Sequence, residues 1–191
     1  NAANINPPEK TSFEELAQQV KIVFIALHGR PGEDGELQLQ LNKVGLPFNG
    51  SRAESSKITI DKFQTNELLA QNGFKVAQHY KLTEEEWRNN PSAIEEKIQK
   101  EFGFPIIAKP VDDGCSSAVK IIRNENQLHA YAELIFREDE TLNTAAAELL
   151  KIKDKEEFPR KRYFLIETLI SGENTKHFLE ITGGMLTSYD E

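Results

Sequence analysis

Lys109 ends a short apolar run, Pro-Ile-Ile-Ala-Lys at 105–109, and the chain then turns through Pro-Val-Asp-Asp-Gly-Cys-Ser-Ser into a second run, Ala-Val-Lys-Ile-Ile-Arg at 118–123. A lysine at the end of a strand can reach into a cleft as a compact point charge. A loop built from Gly114, Cys115, Ser116 and Ser117 offers backbone N–H groups and hydroxyls to anionic oxygens, phosphate above all. The same residues also suit a plain β-hairpin with a solvated lysine. The spacing is not that of the G-x-x-x-x-G-K-[ST] phosphate loop, which must open a helix.

Three further stretches carry candidate chemistry. His28 follows the apolar run 21–27, and the C-terminal end of a parallel strand is the usual place for a ligand crevice. Glu33, five residues on across a glycine turn, could accept from that imidazole and fix its tautomer. Equally, the histidine could cap a strand and the carboxylate could solvate the turn. Lys62 is expected in the first turn of a helix, against the macrodipole, so its amine is wanted elsewhere or is simply exposed. The run from Phe164 to Glu167 passes into Leu-Ile-Ser-Gly and could be a hinge whose backbone pairs with a purine, or an ordinary core strand. Cys115 has no basic partner at a recognisable spacing for a nucleophile, and His28, His79, His129 and His177 show no metal-ligand spacing.

A short helix starts near Phe13 and feeds a strand at 21–27 that is almost wholly apolar and β-branched, the pattern of a strand covered on both faces of a parallel sheet. Leu37, Leu41 and Val44 mark an amphipathic helix, and 46–51 a short strand and exit loop. Residues 59–72 predict a helix, 75–82 a strand, and Asn90, Pro91 and Gly103 cap, start and stop another helix. Asn124 opens a helix to about Phe136, with Leu128, Ala132 and Ile135 on its core face. Residues 137–162 are charge-rich and read as a surface insertion; 163–170 is a strand, and Gly183-Gly184 joins two runs, 176–181 and 184–189, as a hairpin. The expected fold is therefore α/β and α+β: a partial parallel βαβ layer over 1–54, then a smaller unit with antiparallel strands over 55–191.

Bulk properties bound the rest. Lys and Arg number 23 against 31 Asp and Glu, a net charge of −8 that argues against a general nucleic-acid surface but leaves room for a local anion pocket. The single cysteine excludes an internal disulfide and points to a reducing, cytoplasmic compartment. No apolar run approaches the roughly 20 residues that span a bilayer. The start, Asn-Ala-Ala-Asn-Ile-Asn, is neither a signal peptide nor an initiator methionine and reads as the trimmed start of a piece of a longer chain.

In order along the chain, the stretches at 27–51, 60–63, 103–122 and 165–173 resemble the D-alanine–D-alanine ligases of the ATP-grasp superfamily. The resemblance covers roughly residues 13–188, and Leu-His-Gly-Arg-Pro-Gly-Glu-Asp-Gly is its most specific part. It implies that 1–54 is the end of the family's N-terminal domain, and 55–191 the central ATP-grasp domain that binds nucleotide. Lys62 and Lys109 match the two lysines that hold ATP phosphates, and residues 113–118 match the flexible loop that closes over them. Where the family reads G-S-S-V-G, Cys115 and Ser116 fall on the serines and Ala118 replaces the last glycine. Glu167 through Ile170, including Leu169, match the adenine hinge, and Glu173 is matched to the ribose-binding glutamate. His28 and Glu33 match the pair beside the first D-alanine and, with Ser116, are the implied catalytic set.

By the same resemblance the reaction passes the γ-phosphate of ATP to one D-alanine carboxylate, and the amine of a second D-alanine displaces phosphate, for peptidoglycan precursor synthesis. The family's magnesium ligands and substrate-binding arginine belong to a later domain, so Mg2+ ligands are expected outside this chain, which is then not expected to catalyse alone. The implied partners are small molecules, with no nucleic acid or membrane, and a homodimer is possible. Two alternatives stand: another ATP-grasp carboxylate–amine ligase, or a non-catalytic protein that kept the nucleotide-binding fold.

Overall fold

The computed structural model describes residues 9–114, 116–153, 155–172, 176–181 and 183. Helix α1, Phe13–Gln19, opens on a capping box in which the Ser12 hydroxyl accepts from Glu15 N, and the Glu15 carboxylate accepts from Ser12 N. The run after it is extended but makes a single parallel bridge, Val23 to Phe48, with helix α2, Glu36–Lys43, between the two partners. That is the connectivity of a βαβ unit. It is not the doubly covered strand the composition predicts: Ile22 is 67% and Phe24 79% exposed. A strand of this type is buried by its neighbours, and among the described residues only Phe48 bridges to it.

The predicted helix 59–72 is two helices, α3 over Ala53–Ile60 and α4 over Lys62–Gln71. Asp61 divides them: it leaves the helical region and its carboxylate accepts from Gln64 N at 2.8 Å, capping α4. Strand β1, His79–Thr83, is shorter than expected and runs into α5, Glu84–Asn89, through a second capping box between Thr83 and Glu86. Helix α6, Pro91–Glu101, has the Asn90 cap and first-position proline predicted for it.

Strands β2, Ile106–Lys109, β3, Lys120–Ile122, and β4, Tyr163–Thr168, join β1 in one antiparallel sheet of order β1-β4-β2-β3. Helix α7, Glu125–Ile135, covers one face, packing Tyr131 on Phe164 with ring centroids 4.9 Å apart. Ile106 and Ala108 point into that core, fully buried. The pleat therefore turns Ile107 and Lys109 to the other face, where they line a cavity.

Residues 137–162 are not confined to the surface. They form α8, Thr144–Leu149, and place Ala146, Leu150 and Phe158 in the central core. Phe158 meets Tyr131 edge-on at 5.3 Å. Of the hairpin expected at Gly183-Gly184, residues 176–181 carry no strand and the second half lies outside the described residues. Truncating Phe158 to alanine should cost about 3 kcal/mol of stability in urea denaturation, since a large aromatic is lost from the core. A surface position would change it by no more than about 0.5 kcal/mol.

Candidate functional site

Two elements deliver a lysine to the same loop. Lys62 is the first residue of α4; its backbone N donates to Val111 O at 2.9 Å and its Nζ to Asp113 O at 2.5 Å. A lysine at a helix N-terminus, disfavoured by the dipole, is thus held against carbonyls of residues 111–113. Burial first, and then the charge of Lys109, hold the Lys62 ammonium below the ordinary lysine range, although Asp113, Asp112 and Glu167 pull it back up.

Lys109 comes from the end of β2. The sheet register pairs Lys109 with Leu165 and Ile107 with Glu167, so Lys109 and Glu167 are diagonal neighbours on one face. Lys109 Nζ lies 2.5 Å from Glu167 Oε2, and Asn66 Nδ2 donates to Glu167 Oε1 at 2.9 Å. Asn66 stands one helical turn after Lys62, so a single carboxylate ties α4 to both central strands.

The loop between β2 and β3 is stretched over unusual backbone. Ser116 and Ala118 have φ of +56° and +50°, the left-handed region that a residue with a Cβ enters at a cost of about 1 kcal/mol or more. Ala118 is fully buried, and its carbonyl accepts from the Tyr131 hydroxyl at 2.9 Å. Burial pushes that hydroxyl's pKa well above its usual value, so it stays a donor. Ser117 Oγ donates to Glu157 O at 3.1 Å, and Lys120 pairs with Glu156 at 2.6 Å, so the arm after α8 grips the loop.

Lys62, Lys109, Gly114, Ser116, Ser117, Glu167, Leu169 and Ile170 all line one cavity of about 420 Å3. Cys115 and Glu173 lie outside the described residues. A second cavity, of about 850 Å3, holds His28 and Glu33, and Lys62, Asp113, Gly114 and Ser117 line both. His28 Nδ1 and Glu33 Oε1 are 3.2 Å apart, while Glu33 Oε2 accepts from Gly29 N at 2.7 Å. Two glycines of this turn are required by space. A Cβ on Gly32 would stand 2.6 Å from Leu27 Cβ, and one on Gly35, at φ +86°, 2.4 Å from Ala53 O.

Sequence reasoning gave no role to Asn66, Arg30, Asp112 and Lys161, and took Asp113 only as the first residue of the loop 113–118. Arg30 Nη2 lies 2.5 Å from Asp112 Oδ2, and Lys161 Nζ 2.9 Å from both Asp112 Oδ1 and Asp113 Oδ1. These pairs join residues 48 to 82 apart, so no local pattern announces them, although Arg30 also pairs locally with Asp34 at 3.4 Å. Asn66, at i+4 from Lys62 on the same helical face, did carry a readable signal. Among the described residues no group of three or more His, Cys, Asp or Glu side chains is placed to hold a metal ion.

A solved D-alanine–D-alanine ligase from Bacillus anthracis, complexed with ATP, superposes with a TM-score of 0.59 at 28% identity, over 83% of this chain and 43% of that one. A D-Ala:D-Ser ligase from Enterococcus faecalis gives 0.57 at 26% identity, over 80% and 37%. The fold is therefore that of the ATP-grasp ligases, with its four-stranded antiparallel sheet. Family models described as D-ala D-ala ligase N-terminus and C-terminus match residues 1–51 and 68–148. A curated D-alanine–D-alanine ligase from Leptospira interrogans is 40% identical over 118 residues, 62% of this chain and 33% of that protein. One from Bacillus cereus is 35% identical over 131 residues, 69% of this chain and 42% of that protein. The chain belongs to the D-alanine–D-alanine ligase family, and it spans about a third of the length of the Leptospira relative.

If the Glu167 carboxylate couples Lys109 to the sheet, a double-mutant cycle of Lys109→Met and Glu167→Gln in urea denaturation should give a coupling of about 1–2 kcal/mol. Additivity within about 0.3 kcal/mol would show that the pair contributes nothing.

Proposed function

We propose that this chain holds ATP between Lys62, Lys109 and the loop 113–118, for a ligase that joins two D-alanines. The observation that carries the reading is the meeting of the two lysines and the loop in one cavity, which shares Lys62, Asp113, Gly114 and Ser117 with the cavity of His28 and Glu33.

ATP supplies the phosphoryl group that activates a carboxylate. A carboxylate and a triphosphate repel each other, so a site that brings them together must place cations between them. Lys62 stands where the two cavities join, and its desolvated ammonium gains most from a phosphate partner. Lys109 reaches the same cavity from the sheet, held in place by Glu167. The N–H groups of the glycine-serine loop and the Ser116 hydroxyl add donors to phosphate oxygens, and small residues let the loop close against water. Leu169 and Ile170, where the chain leaves β4, are the hinge for the adenine ring; Glu173 is proposed for the ribose.

His28 and Glu33 face the second cavity, where the first D-alanine would sit. There the activated carboxylate becomes an acyl phosphate, which the amine of a second D-alanine attacks, with phosphate leaving. The described residues do not fit a magnesium site: no cluster suits it, and Asp112 and Asp113 are held by Lys161 and Arg30. With ligands for the metal elsewhere, the chain binds ATP without turning it over. A cytoplasmic location, small-molecule partners and a homodimer belong to the same proposal.

The acceptor is the open choice within the family, since one neighbour is named a D-Ala:D-Ser ligase. Titration calorimetry should show ATP binding by the 191 residues, weakened about tenfold or more, at least 1.4 kcal/mol, by Lys109→Ala. ATP binding that ignores Lys109→Ala would overturn the site. Phosphate release that requires D-alanine, from these residues alone, would sink the claim that they do not turn over.

A further inference from the structure

Asp112 and Asp113 place two adjacent carboxylates at the edge of a site proposed to hold phosphates. Left to themselves they would repel the ligand that Lys62 and Lys109 attract. Lys161 Nζ lies 2.9 Å from one oxygen of each, and all three side chains are largely shielded, at 20% exposure for Lys161, 18% for Asp112 and 24% for Asp113. Shielding of this degree lets the charges act more strongly than in a surface pair. Asp113 lines both cavities, and its Oδ2 is buried without a hydrogen-bond partner.

Lys161 is not a loose surface amine. It ends an arm anchored by Phe158 in the core, by Ser117 Oγ donating to Glu157 O, and by the Lys120–Glu156 pair. Its backbone N donates to Ile135 O at 2.8 Å, so the arm docks on the end of α7. Burial opposes the charge on its ammonium, yet the two aspartates more than offset this and raise its pKa above the ordinary lysine value.

We infer that Lys161 is a positioning residue that neutralises Asp112 and Asp113, so that neither carboxylate meets the phosphates of a bound nucleotide as an uncompensated charge. The inference rests on the nucleotide reading above and adds a residue from the arm after α8. A merely structural tie between arm and loop makes a different statement. It would weaken every nucleotide alike, whereas lost neutralisation weakens binding more with each added phosphate.

The test is calorimetric binding of AMP, ADP and ATP to the 191-residue chain in magnesium-free buffer. For Lys161→Met the expected loss is about tenfold for ATP, less for ADP and under about twofold for AMP. Lys161→Arg should stay near the parent chain, and adding Asp112→Asn and Asp113→Asn to Lys161→Met should restore most of the ATP affinity. An equal loss for all three nucleotides, or no restoration, overturns the inference while the parent chain's binding leaves the nucleotide reading standing. A parent chain that binds none of the three overturns both. If Lys161→Met does not fold, Asp113→Asn alone decides: it should tighten ATP more than AMP, and an equal or absent effect overturns the inference.

Discussion

One buried carboxylate holds the site together. Glu167 is 9% exposed and uses one oxygen for Lys109 and the other for Asn66, so a single side chain fixes the end of β2, the end of β4 and the first turns of α4. A carboxylate so placed must be paired, because an isolated buried charge is far more expensive than the pair is favourable. That requirement brings Lys109 to its post without any ligand. It also sets the face of α4 that carries Lys62, one turn before Asn66. The cavity lies between these groups, and the glycine-serine loop spans it.

Charge is arranged in the same economical way around the loop. The chain is acidic as a whole, with a net charge of −8, yet the two cavities meet at Lys62 beneath a loop that carries two aspartates. Arg30, from the turn bearing His28 and Glu33, and Lys161, from the arm after α8, hold those aspartates from opposite directions along the chain. The loop is therefore fastened at its base by Lys62 and Lys161 and at its exit by Tyr131. Its centre, with Gly114 and Ser116, lines the cavity.

Local chemistry was legible in the sequence mainly where a local rule governed it. Asn90 with Pro91, and Asn124, start their helices as capping predicts, because a cap depends on three or four neighbouring residues. The strands that flank the loop after Lys109, and the strand that carries Glu167, were also readable, since apolar runs bounded by turn residues mark them. Much of what failed depends on distant partners. The run 21–27 looks like a covered strand, but burial is a property of the sheet around it. The stretch 137–162 reads as a surface insertion because its core residues, Ala146, Leu150 and Phe158, are scattered among charges. Asp61 was hidden inside an apolar pattern and broke a helix there by capping the next one. Thr83 and Glu86 form a local capping box that opens α5, a helix the sequence reading did not predict although its signal is local.

Lys62, Lys109 and the loop 113–118 are proposed to form one ATP site. Hydrogen–deuterium exchange with and without ATP tests it most directly, because it reports where the ligand lies without altering a residue. The account predicts slowed exchange in 111–120, at the start of α4 and over 165–171, with α5 and α6 unchanged. No ATP-dependent slowing in those segments, or slowing confined to α5 and α6, would contradict it.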